Sequence, residues 1–105
     1  MKRLARGAIG TGAGTLAYTV PTQYTGEIND ICISNTTSST ASCTLHLVPS
    51  GGSPAASNML LPTVSISANT LFQWTGNQIL DAGDYIQVIG SVSGLTMNIT
   101  GDEKR

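Results

Sequence analysis

The sequence predicts an all-β fold, a single antiparallel β-sandwich or jelly roll of about seven to eight short strands with an extended N-terminal arm. Three observations predict it. Apolar residues alternate with polar ones in short runs, the period of half-buried strands. Clusters of Gly, Pro, Ser and Asn interrupt these runs about every 8 to 12 residues, the turn spacing of sandwiches. No apolar stripe keeps helical spacing for three turns. At 105 residues the chain has room for one core.

The elements follow in order. Residues 1–14, MKRLARGAIGTGAG, read as the arm: Lys2, Arg3, Leu4 and Arg6 would contact a neighbouring subunit or partner, and the run after them is broken by glycine. Residues 15–101 read as the sandwich and 102–105 as a tail. The first strand, Thr15 to Val20, turns Leu16, Tyr18 and Val20 inward and stops at Pro21, which has no N–H to give a ladder. Glu27 to Ser34 turns in Ile31 and Ile33. Ile28 is out of step with them, which predicts a bulge near Asn29 and Asp30, or else an Ile28 that faces a partner.

After the turn SNTTSST, Ser42 to Val48 buries Cys43, Leu45 and Leu47. The loop from Pro49 to Pro54 leads towards Thr63 to Ser67, with Val64 and Ile66 inward. A turn at Ala68 and Asn69 gives Thr70 to Thr75, with Phe72 and Trp74 inward. The DAGD turn precedes Asp84 to Ser91, with Ile86 and Val88 inward, and a Ser-Gly turn precedes Leu95 to Thr100, with Leu95, Met97 and Ile99 inward. Met59, Leu60, Leu61 and Ile89 have no clear inward parity, so they are candidates for a contact surface. Pairing the second strand with the third so that Ile33 faces Cys43 and Ile31 faces Leu45 puts Cys32 on the other face. The two thiols then stay reduced.

Charged residues are 10% of the chain, against about 25% in an ordinary domain, the net charge is −1, and 25 residues are Ser or Thr. Such a surface repels its neighbours weakly, which suits a protein that spends its life against other protein. The five cations are Lys2, Arg3, Arg6, Lys104 and Arg105, and between Gly7 and Gly101 there are four carboxylates and no Lys or Arg. A nucleic-acid groove needs a basic stripe, so no nucleic acid is expected. Neither a secretory signal nor a membrane-spanning run is expected, and the Asn35 and Asn98 glycosylation matches then carry no consequence.

The chemistry of catalysis is thinly supplied. The one histidine, His46, falls on the outward face between Leu45 and Leu47, away from the serine and carboxylate a triad would need. Neither cysteine has metal-ligand spacing, and Asp81 with Asp84 lacks the full calcium-loop pattern, so a turn bonding its own backbone is the expected use. The glycines after Pro49 lack the lysine and helix of a phosphate loop. No reason emerges for two of Glu27, Asp30, Asp81, Asp84, Asp102 and Glu103 to converge. No cofactor is expected, and the protein is expected not to be an enzyme.

The stretches MKRLARG to LAYTVP, CISNTTSSTASCTLHLVPSGG and GNQILDAGDYIQVIGSVSGLTMNITG together span nearly the whole chain. In this combination the chain resembles a group of small β-rich virion proteins of tailed bacteriophages and prophages. The resemblance implies a non-enzymatic virion structural protein, first of all a capsid decoration or cement protein, made in the host bacterial cytoplasm and located in the virion. It would bind itself, as a homo-oligomer with a trimer favoured, and the major capsid protein or another virion protein. The alternatives are a tail, baseplate or fibre accessory protein and, behind it, a carbohydrate or host-surface binding module.

Overall fold

In the computed structural model, which describes residues 2–105, the alternating runs become eight strands. They are β1 (Lys2–Ala8), β2 (Thr15–Thr19), β3 (Thr25–Asn35), β4 (Ala41–Val48), β5 (Met59–Ile66), β6 (Leu71–Leu80), β7 (Tyr85–Gly90) and β8 (Leu95–Lys104). One sheet has the order β1-β8-β3-β6 and the other β2-β7-β4-β5. All the ladders are antiparallel. The pairs β1 with β8, β2 with β7, β3 with β6 and β4 with β5 are those of one long hairpin, strands one to four running out and five to eight back. Rolled across two sheets, that hairpin is a jelly roll.

The facing sheets bury Ile28, Ile31, Ile33, Leu45, Ile86, Val88, Leu95 and Ile99 completely. Each such side chain contributes about 1.5–3 kcal/mol over leaving it in water. Ile28 joins them because the β3 register slips between Ile28 and Asp30, so the expected bulge at Asn29 and Asp30 is present. A second device closes the far end of β3. Asn35 is 2% exposed, its Nδ2 donates to the carbonyls of Ile66 and Ser39 (2.9 Å each), and its Oδ1 accepts from Thr37 N–H (2.9 Å) and Thr37 Oγ1–H (2.7 Å). One amide thus ties β3 to the following turn and to β5 in the other sheet.

Several expectations need correction. Residues 2–8, expected in an arm that reaches a neighbour, are an edge strand laid along β8, with the register slip at Leu4 turning Ala5 inward. The expected tail is likewise strand, since β8 continues to Lys104 with Asp102 opposite Glu27. β3 does not pair with β4. The connection between them crosses from one sheet to the other, as jelly-roll winding requires.

Leu16 points outward, 58% exposed, because the β2 register slips at Ala17. β6 does not stop at Thr75 but runs on through Gly76. The Trp74 ring lies beside that exposed glycine, where a Cβ would come 3.0 Å from Trp74 Cζ2. β5 begins at Met59 rather than Thr63. Pro62 falls inside a register slip on this edge strand, where a missing N–H is tolerated.

Candidate interaction surface

β1 is one edge of its sheet, and its register against β8 decides where the cations go. Arg3 lies opposite Thr100, Ala5 opposite Ile99 and Arg6 opposite Asn98, with a slip at Leu4 between the first two pairs. Without the slip, residues three apart would face opposite sides. With it, Arg3 and Arg6 both stand exposed on the outer face while Ala5 is buried and Leu4 packs against the core. The rest of that face, across β8, β3 and β6, carries Thr96, Asn98, Thr100, Asp30, Cys32, Ser34, Gln73 and Thr75. It is mainly a hydroxyl and amide surface, with the cations Arg3 and Arg6 on the β1 rim and the exposed Leu71 and Ile79 on the β6 rim.

Lys2 is used differently. Its Nζ donates to Glu103 Oε1 at 2.6 Å, and the other carboxylate oxygen accepts the Tyr18 hydroxyl from β2 in the opposite sheet. The hydrogen bonds from Lys2 and then Tyr18 hold the Glu103 carboxyl below its ordinary range. The hydrogen bond to Glu103 and its charge raise Lys2. Burial first, and the Glu103 bond second, raise the Tyr18 phenol. Arg105 at the other terminus lies over the Tyr24 ring, 5.6 Å from its centre, and donates to Gln23 Oε1 at 3.2 Å. Of the four residues expected to make the arm contact, Arg3 and Arg6 are presented outward, Lys2 latches the chain to itself and Leu4 packs inward.

No family model, curated protein or solved structure matches the chain.

The expected contact surface at Met59, Leu60 and Leu61 is not assembled as an exposed patch. Leu61 is in the core, opposite Leu45, and Met59 and Leu60 are half-buried. The register slips along β5, which no alternation could show, turn them in. His46 is corrected too: it is on the outward face of β4, yet only 5% exposed. The 3-10 turn Ala56–Asn58 and Met59 fold over it. Asn58 Oδ1, which accepts the Ala55 N–H, faces His46 Nδ1 at 3.2 Å, so Nδ1 carries the proton. Burial lowers the imidazole pKa, and the facing residues Gln87, Asn58 and Met59 bring no charge.

Asp84 uses both oxygens on backbone, accepting Ser50 N–H and Asp81 N–H at 2.9 Å each. That is a self-bonded turn. Glu27 and Asp102, not expected to meet, face each other across β3 and β8 and line an open groove of about 330 Å³ with Lys104 and Arg105. Glu27 Oε2 accepts from Asn29 Nδ2 at 3.2 Å. Cys43 is buried inside one sheet, its thiol pushed up to about 11 by burial, while Cys32 lies on the outer face of the other sheet; both are free thiols.

The strand β6 was not singled out by the sequence. It is the other edge of the Arg3 and Arg6 sheet and holds the two most exposed large apolar residues of the body besides Leu16, namely Leu71 at 58% and Ile79 at 62%. Reading the alternation through Gly76 would have shown both on one face.

Proposed function

We propose that this chain is a non-enzymatic structural protein of a tailed-bacteriophage virion, a capsid decoration or cement protein that associates with itself and with the major capsid protein or another virion protein. The observation that carries the reading is the rim of β1: Arg3 and Arg6 stand exposed on one side of a four-stranded, largely hydroxyl and amide face. A face of hydroxyls and amides makes many weak contacts, and repeated weak contacts on a symmetric particle add through effective concentration. The two guanidinium groups would fix register against carboxylates of a neighbour, which planar forks do better than lysine.

Jelly rolls serve viral capsid and lectin domains alike, so fold by itself does not choose between them. The aromatic side chains favour the virion reading. A sugar platform needs exposed rings, whereas here Phe72, Trp74, Tyr18 and Tyr24 pack against the core and Tyr85 gives its hydroxyl to the Gly52 carbonyl. The resemblance along the three long stretches points the same way.

The test is co-sedimentation of purified protein with phage particles made without it. The wild-type chain should bind, binding should weaken from about 0.05 to 0.5 M salt as exposed charges are screened, and Arg3→Glu with Arg6→Glu should abolish it. Equal binding by the double variant at low salt would remove the β1 rim from the interface. Labelling on intact particles separates the two virion sites: signal over the whole shell supports decoration, and signal confined to the tail supports the accessory reading.

A further inference from the structure

The four sheet edges are not treated alike. An edge strand offers unpaired backbone groups to any passing strand, and proteins blunt such edges with charge, proline, bulges or shortness. β1 has three cations and a slip at Leu4. β2 is five residues long with a slip at Ala17. β5 has Pro62 and two slips. β6 is ten residues long, has neither a charge nor a proline, and alternates from exposed Leu71 to buried Leu80 except at Thr75, Gly76 and Asn77, which are all exposed where its ladder with β3 slips opposite Asn29.

The backbone of β6 is available in a particular way. Asn35 N–H bonds the carbonyl of Thr70, so by antiparallel alternation the even residues Phe72 and Trp74 direct their amide and carbonyl groups to β3. Leu71, Gln73 and Thr75 direct theirs away from the sheet. Residues sharing a strand face also share an edge, which adds Ile79 to this set.

We propose that β6 is a homodimer interface, in which two copies pair their β6 strands antiparallel about a twofold axis at Thr75 and join two four-stranded sheets into one of eight strands. The sequence of β6 is self-complementary in that register. Leu71 falls opposite Ile79 of the second copy on the outer face, and this occurs twice by symmetry. Gln73 falls opposite Asn77, Thr75 opposite Thr75, and Trp74 opposite Gly76, which adds no side chain beside the ring that its own chain's Trp74 already lays against it. No charge is brought against its like, which self-pairing of β1 would do. The contact gives twofold pairs rather than the trimer expected from the sequence, and it stands whether or not the protein belongs to a virion.

The experiment is sedimentation equilibrium of the purified full chain over a wide concentration range. The wild type should be a dimer. Leu71→Lys with Ile79→Lys, both at exposed positions, sets lysine opposite lysine twice and should raise the dissociation constant about 100-fold or more. Leu71→Lys with Ile79→Glu restores opposite charges only in the Thr75-centred register and should restore the dimer. Thr75→Pro, which removes an N–H aimed away from the sheet, should give a monomer with an unchanged thermal transition at low concentration. A wild type that stays monomeric at every concentration, a dimer or trimer indifferent to the double-lysine variant, or a lysine–glutamate variant that stays monomeric would each overturn the proposal. Since no virion is present in this experiment, its failure leaves the particle-binding reading untouched, and the reverse holds.

Discussion

Replacing Asn35 with alanine tests whether one buried amide joins the two sheets. The side chain is 2% exposed and its polar atoms meet the Ile66 and Ser39 carbonyls and both the N–H and hydroxyl of Thr37. Truncation leaves the Ile66 carbonyl without its donor in a buried place, and an orphaned buried group costs about 1–3 kcal/mol. The Thr37 and Ser39 groups lie nearer water and recover part of their loss, adding about 1 kcal/mol more. The expected destabilisation is therefore about 2–4 kcal/mol, a large share of the 5–15 kcal/mol that typical domains have.

With about 2.1 cal/mol/K of unfolding entropy per residue, that loss lowers the Tm of a chain this size by about 10–20 °C. Urea unfolding should show a lower midpoint at unchanged slope, because the area exposed on unfolding does not change. Asn35→Asp sharpens the test. It keeps the acceptors for Thr37 but sets a carboxylate against two carbonyl oxygens, so it should be at least as damaging at neutral pH and recover in acid, where the protonated acid can donate again. Asn98 is exposed on the outer face, and Asn98→Ala should stay within about 0.5 kcal/mol of wild type. A loss at Asn35 no larger than at Asn98 would refute the assigned role.

Gly101→Ala should destabilise by about 3 kcal/mol, because its Cβ would come 1.8 Å from the Glu27 carbonyl oxygen and 3.0 Å from Leu4 Cδ1; Gly12→Ala, at φ +68° with no atom within 4 Å, should cost only the left-handed backbone strain of about 1–2 kcal/mol, and equal losses at the two would contradict this. His46, the single histidine, should titrate below the ordinary value of about 6.5 by NMR. Because its folded pKa is lowered, the unfolded chain takes up the proton first, so stability is full above that ordinary value and falls as pH drops through the lowered one. His46→Gln should flatten that limb. Glu103 is lowered as well, so its contribution is present above about pH 4.3 and lost as pH falls through the folded value, whereas Lys2 and Tyr18 are raised and theirs is lost above about pH 10. Glu103→Gln should lower stability between those limits, and an unaltered acid profile would show that the latch is idle.

Local alternation revealed most strands, and the parity break at Ile28 marked the place of the β3 bulge while leaving a partner-facing Ile28 as the alternative, between which the β3 ladders decide. It failed where a register slip has no compositional mark. Ala17 is an ordinary residue in an ordinary run, yet a slip there turns Leu16 out. Sheet membership was also hidden, because the hairpin-like spacing of Glu27 to Ser34 and Ser42 to Val48 suits a ladder as well as a crossover between sheets. His46 looked exposed because burial on an outward face depends on a loop folding back from twelve residues away, and that is a tertiary fact. Of the candidate site, the cations were legible as residues, whereas their common face was not, since it depends on the slip at Leu4.

The jelly roll also changes what the terminal charges mean. Winding one long hairpin brings the first strand beside the last, so charges at opposite ends of the sequence become neighbours: Lys2 reaches Glu103, and Arg3 lies across from Thr100 near the end of β8. Positive charge kept only at the termini is therefore charge gathered along one edge and one corner of a single sheet. Deleting residues 1–6 would accordingly remove most of an edge strand, take Ala5 out of the core, leave Glu103 with only its Tyr18 partner, and open the backbone of β8 as a new sticky edge. Altered assembly after such a truncation would follow from the damaged sheet whatever the cations do. Substituting Arg3 and Arg6, whose side chains leave the β1 ladder intact, isolates the charges from the strand, and that is why the particle-binding test rests on those two residues.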